Sequence, residues 1–289
     1  MRVKISPKYY SVLVAVACVV SLVSNTIVKA DSLGTITEYN VPSANSSPDV
    51  ITEGPDDNIW FIESQTGKIG KMTKTGMFTE YSSGATTLPL AGSIARGTDS
   101  RVWFTDSNSS QTGAIKAITD TGDITTYTPS NPVSGDTTGV ITDGPGFEMW
   151  FSVVNLSDSH FRGYIRSMTT SGAFVRNIPI NGYVTSMAPD YATNSMWYTS
   201  RQMTDTGFTG LEVIGRIAAD GTKTEYPAST TSLRSITKGP DGNMWFIDYN
   251  DKVGKISNLG NITMYPLPGA NVGVRGIAAG PDGFLWATM

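Results

Sequence analysis

The sequence predicts an all-β fold of repeated four-stranded antiparallel sheets, and three observations predict it. All six Trp of the chain stand in one motif, Trp followed by an aromatic or small apolar residue: Trp60-Phe61, Trp103-Phe104, Trp150-Phe151, Trp197-Tyr198, Trp245-Phe246 and Trp286-Ala287. Between them lie short runs of Val, Ile, Thr, Tyr and Phe, cut every few residues by Gly, Asp, Asn and Pro, the punctuation of strands and tight turns. The motif returns every roughly 40 to 50 residues, the length of a four-stranded β-propeller blade. One such sheet cannot cover both of its faces, so the copies must stack, and a Trp fixed at one repeat position is inter-blade core rather than a sugar-stacking platform.

The blades follow in order. Gly34 to Tyr39, GTITEY, matches a fourth strand with no first three before it, and is expected to pair with the last blade and close the ring. Blade one runs from Pro48 to Tyr81, with a turn at Pro55-Asp56-Asp57-Asn58. Blade two spans about Ala91 to Tyr127. Blade three, Gly139 to Pro179, has a long loop from Asn155 to Gly163. Blade four, Val184 to Tyr226, replaces the Gly-Pro turn with Pro189-Asp190-Tyr191 and carries a second long loop, Arg201 to Leu211. Blade five, Ser235 to Pro268, is the cleanest copy: SITKG, a Pro240-Asp241-Gly242-Asn243 turn, MWFID, KVGKIS and NITMYPLP. Val274 to Met289 supplies two strands of a sixth. Six blades are therefore visible. Either a three-stranded blade closes the ring, or the sequence is a piece of a longer, seven-bladed one; the second reading is preferred.

Composition limits the function. The formal charge is −4, and removing residues 1–30, with four basic residues and no acid, takes it from −4 to −8, an acidic balance that argues against nucleic acid as a partner. Residues 1–30 differ from the rest: Arg2, Lys4 and Lys8 precede an apolar run, Ser11 to Val28, and a small-residue site at Val28-Lys29-Ala30. This reads as a secretory signal peptide before a propeller over 31–289, placing the protein outside the cytoplasm, with a retained anchor as runner-up. The only Cys is Cys18, within that leader, so the propeller has neither disulfide nor thiol chemistry.

The repeat resembles the virginiamycin B (streptogramin B) lyase family. Blade one carries Ile51-Thr52, Gly54-Pro55-Asp56, Trp60-Phe61, Glu63, Ile69-Gly70-Lys71-Met72-Thr73 and Thr79-Glu80-Tyr81. Blade five carries Ile236-Thr237, Gly239 to Asn243, Trp245-Phe246, Asp248 and Val253-Gly254-Lys255-Ile256. The resemblance covers nearly all of 34–289, but these residues specify blades rather than chemistry. It implies a seven-bladed ring and a Mg²⁺-assisted lyase that opens a cyclic depsipeptide ester by elimination. It also implies working residues, His and Tyr among them, where each first strand begins, at the mouth of the central channel. Here those positions hold Asp49, Gly92, Gly139, Thr185, Arg234 and Arg275, and none is His or Tyr. The single His, His160, lies in the loop of blade three; a lone loop His is usually only solvated.

The candidate ligand-binding residues are therefore Asp49, Arg234 and Arg275, which face one axis if the ring forms; the plain alternative is that they pair with one another and with water. Asp49, Arg275 and Glu63 are the candidate catalytic groups for a lyase or hydrolase of altered mechanism. Glu63, Asp106 and Asp248, each three residues past its Trp, can hold a cation through oxygen, but their recurrence favours a structural role. Tyr249, Arg201 and Asn155 follow the Trp motif towards the same face. No metal site is assigned, with Mg²⁺ entering only by resemblance. The expected function is a binding or scaffold module for a small-molecule, peptide or cell-surface ligand, working as a monomer and touching no membrane beyond the leader. The alternative is the family's carbon–oxygen lyase. A sugar-lactone hydrolase would need a Glu–Asn–Asp metal set that the sequence does not place.

Overall fold

The structure is a computed structural model that describes residues 2–5, 38–84, 92–106, 113–128, 136–155, 163–204, 207–228, 230, 232–267 and 273–288. These form six antiparallel sheets, each in sequential strand order apart from the last. Blade one comprises Pro48–Glu53, Ile59–Glu63, Lys68–Met72 and Phe78–Ser82. Blade two comprises Ile94–Arg96, Val102–Asp106, Ala114–Ile118 and Ile124–Tyr127. Blade three comprises Asp136–Gly144, Glu148–Asn155, Gly163–Thr169 and Phe174–Ile180. Blade four comprises Tyr183–Asp190, Ser195–Thr204, Gly207–Ile217 and Lys223–Ala228. Blade five comprises Leu233–Lys238, Met244–Asp248, Lys252–Ile256 and Ile262–Pro266. The sixth sheet has three strands, Gly276–Ala279, Leu285–Thr288 and Arg2–Ile5.

The repeat signature is a packing device built around the indole. In four blades the Trp stacks on the Tyr of its own outer strand, as Trp103 does on Tyr127 at 5.0 Å between ring centroids and Trp245 on Tyr265 at 5.6 Å. A Lys or Arg lies over each of Trp60, Trp103, Trp150, Trp197 and Trp245. The Gly-Pro-Asp turn does more than reverse the chain. Its Asp accepts the indole N–H: Trp60 Nε1 to Asp56 Oδ1 at 2.9 Å, and Trp245 Nε1 to Asp241 Oδ1 at 2.8 Å. Its Gly leaves room, because a Cβ on Gly54 would sit 2.3 Å from the Trp60 ring. Burial pushes the Asp56 carboxyl up, but bonds from Lys71, Asn58 and Trp60 outweigh it and hold it well below the usual range. Blade four, which lacks this turn, leaves Trp197 Nε1 without a partner, and Asp190 there takes Lys238 of blade five at 2.7 Å.

Neighbouring blades meet through the same contacts. The outer-strand Tyr of one blade lies against the third-turn Gly of the next: Tyr81 over Gly122, Tyr127 over Gly172 and Tyr226 over Gly260. Between blades four and five, Trp197 and Ile214 pack on Leu233, Ile236 and Phe246. The first-strand residue in that seam is Ile94, Ile141, Met187, Ile236 or Ile277 in blades two to six, at 3–7% exposure. In blade one it is Ile51, at 66%. Trp286, at the other end of the run, is only partly buried. The seams therefore run from blade one to blade six, and no comparable contact joins blade six back to blade one among the described residues.

The expected closing strand is met differently. The strand beside Leu285–Thr288 is Arg2–Ile5, in register Arg2 to Thr288 through Ile5 to Leu285, and it fills the third-strand place of the last sheet. Residues 34–37 of the expected strand, and residues 6–30 of the expected leader, lie outside the described residues. Glu38 and Tyr39 are not in a strand. Tyr39 instead lies over Gly76 of blade one, the place an outer-strand Tyr from a preceding blade takes in every other seam that shows one.

Candidate functional site at the channel mouth

The first-strand starts do not follow plain strand geometry. In blade five Leu233 pairs with Asp248 and Ser235 with Ile247, so Arg234 is extruded as a β-bulge. The same break places Thr185 between Val184 and Ser186, Gly139 between Thr138 and Ile141, and Asp49 between Pro48 and Ile51. Arg275 donates its backbone N–H to Thr288 O at 2.9 Å while Gly276 pairs with the same Thr288, again two residues against one. Bulges re-aim a side chain and free it from the sheet. Serines beside two of these positions link the blades: Ile141 N donates to Ser93 Oγ at 3.1 Å and Ile236 N to Ser186 Oγ at 3.2 Å.

Two of the extruded residues come together. The Arg234 guanidinium lies 4.8 Å from the Tyr249 ring centroid and that of Arg275 lies 5.1 Å from it. Arg275 Nη1 also donates to the Tyr249 hydroxyl. Tyr249 is fixed at the end of the second strand of blade five, its N–H donating to Ser232 O at 3.0 Å. Below them Glu212 is buried, its Oε1 accepting from Arg201 Nε at 3.0 Å and its Oε2 from the Leu233 N–H. Burial pushes the Glu212 carboxyl up, against the pull of the Leu233 amide and of Arg201 and Arg234. Asp49 does not join this group; it is exposed and makes no hydrogen bond or ion pair among the described residues.

The acids after the Trp motif are interior. Glu63 is fully buried and accepts from Thr66 Oγ1 at 2.8 Å, with burial raising its pKa. Asp106 pairs with Lys116 at 2.6 Å, and Asp248 accepts from the Asn250 backbone and side chain. Each thus secures the hairpin that follows it. Asn155 donates to Asp136 at 3.0 Å, which also faces Arg166. His160 lies outside the described residues. Arg234 and Arg275 bring positive charge to the mouth, Asp106 faces a lysine, and no three His, Cys, Asp or Glu side chains gather among the described residues.

The profile of the virginiamycin B lyase family matches residues 17–175 and 168–289. The chain belongs to that family. Its structure is similar to that of a streptogramin B lyase, at 25% identity over 89% of this chain and 84% of that one, with a TM-score of 0.70. A catalytically inactive virginiamycin B lyase variant from Staphylococcus aureus, solved with quinupristin, matches at 24% identity, 89% and 85% coverage and a TM-score of 0.69. A putative gluconolactonase shares the fold alone, at 10% identity, 83% and 87% coverage and a TM-score of 0.56. No curated protein matches the sequence.

Two features of the mouth escape sequence reading. Glu212 carries no motif; it lies in the middle of the third strand, Gly207–Ile217, directly across from Arg201, a pairing that the expected loop from Arg201 to Leu211 does not suggest. The sharing of Tyr249 by two arginines depends on the seam between blades five and six, which no single repeat reveals.

Proposed function

We propose that this family member is an exported ligand-binding propeller that uses its channel-mouth face and does not run the family's elimination. The observation that carries the reading is the pair of exposed arginines, Arg234 and Arg275, presented on bulges at the positions where the family resemblance implies His and Tyr. Removing a proton from carbon needs a base that is free at neutral pH, and a guanidinium stays protonated throughout. Glu63 is sealed from solvent and Asp49 stands apart from the arginine pair. The partner is a small molecule, a peptide or a cell-surface group bound by one monomer. Export rests on the leader-like composition of residues 1–30; cleavage there would remove Arg2–Ile5 from the last sheet, whereas a retained leader would keep it.

The family match favours a second reading, a carbon–oxygen lyase acting on a cyclic depsipeptide or related ester. One experiment separates the two. The full chain is incubated with a streptogramin B depsipeptide, with and without Mg²⁺, and the products are resolved by chromatography, because elimination opens the ring without changing its mass. The binding reading expects the cyclic compound to be recovered intact in both arms. Linear product in either arm overturns it in favour of the lyase.

A further inference from the structure

We propose that Arg234 and Arg275 form a site for an oxyanion carrying two negative charges, such as a phosphate monoester or a dicarboxylate. The inference rests on the binding reading above and names the chemistry of its ligand. Three observations support it. Both guanidiniums are exposed, and neither has a carboxylate within ion-pair distance among the described residues. Both are held against one ring, so their separation cannot exceed the sum of the two centroid distances, 4.8 and 5.1 Å. And the two buried acids beside this place are already engaged: Glu212 takes Arg201 on one oxygen and the Leu233 amide on the other, and Asp248 accepts from the Asn250 backbone and side chain.

Two like charges gathered on one ring repel each other to whatever extent solvent leaves unscreened, and a chain of formal charge −4 has acids to spare with which to neutralise them. Instead the fold stacks both on a tyrosine and leaves their outer edges open. Stacking orients a guanidinium without using up its donor fork, and that fork matches the paired oxygens of carboxylate and phosphate. Two forks from adjacent blades suit an anion with two charges better than one with a single charge. Tyr249 sets the spacing, since its hydroxyl accepts from Arg275 while its ring lies under both.

The test uses the full chain and two probes, inorganic phosphate at a pH where it is a dianion, and succinate, each titrated calorimetrically against chloride at matched ionic strength. Saturable binding of phosphate, of succinate or of both is expected, and which probe binds distinguishes the two sources of the anion. Arg234→Ala and Arg275→Ala should each weaken it about tenfold or more, the scale of one lost charge-assisted hydrogen bond. Arg275→Lys should recover only part, since a lysine keeps the charge without the fork. Both arginines are exposed, so the variants should melt as the parent does without ligand, which separates lost binding from lost folding. Heats no different from chloride, or affinities unchanged by either substitution, overturn the proposal. That failure leaves the depsipeptide result untouched, whereas ring opening would overturn the binding reading whatever the phosphate data.

Discussion

Trp103→Ala should destabilise the protein by about 3–5 kcal/mol, the range for emptying a large aromatic site in a packed core. Trp103 is fully buried, stacks on Tyr127 at an interplanar angle of 16°, lies under the Arg101 guanidinium and donates to Asp99 Oδ1 at 2.9 Å. Removing the indole loses the stack, opens a cavity in the seam with blade three and strands an Asp oxygen. Urea denaturation of the purified chain measures it. Trp103→Phe keeps an aromatic face but not the N–H, and should fall between the two. Trp286→Ala, at the partly buried end of the run, should cost distinctly less; equal costs would mean that the blades are not joined as described.

The second large effect is expected at a glycine. A Cβ on Gly215 would lie 1.9 Å from Cζ of the Tyr198 ring, which crosses the third strand of blade four. Tyr198 is fully buried and donates to Glu225 Oε1 at 2.7 Å, and burial, followed by that carboxylate, pushes its hydroxyl pKa far up. Gly215→Ala must therefore displace a ring with no free space beside it. Overpacking alone costs about 1–3 kcal/mol, and losing the bond to Glu225 adds about 1.5–3 kcal/mol if the ring swings away. Thermal denaturation, with near-ultraviolet circular dichroism for tyrosine packing, checks both parts. Gly221→Ala, in an open turn at φ +86° with nothing near its Cβ position, is the control: its cost is backbone strain alone.

Much of this fold was legible in the residues. Six indoles at one repeat position, preceded by a Gly-Pro-Asp turn in blades one, five and six and followed by an aromatic in the first five, admit few arrangements other than stacked blades, because where the whole motif is present each element has one partner. The Gly clears the indole, the Asp accepts its N–H and the outer Tyr covers its face. What the sequence did not give away lies between blades. Ile51 reads like Ile236, yet one is open to solvent and the other sealed, since exposure at a seam depends on the neighbouring sheet. Arg234 and Arg275 were recognisable by their place in the repeat, but the tyrosine that gathers them was only one of several loop residues. Asp49 shared that place and stayed apart, because being extruded on a bulge does not by itself bring a side chain to its neighbour. Glu63 looked available from its position at a strand end, whereas the hairpin folds over it.

The central structural claim is that one seam repeats from blade to blade and stops at the first. Its most direct test is a pair of denaturation curves, for Ile236→Ala and Ile51→Ala, two substitutions that are identical in the repeat. The account predicts a loss of about 2–5 kcal/mol at Ile236 and a change within about 0.5 kcal/mol at Ile51. Equal, large losses at both positions would show that blade one is covered as the others are, and would contradict it.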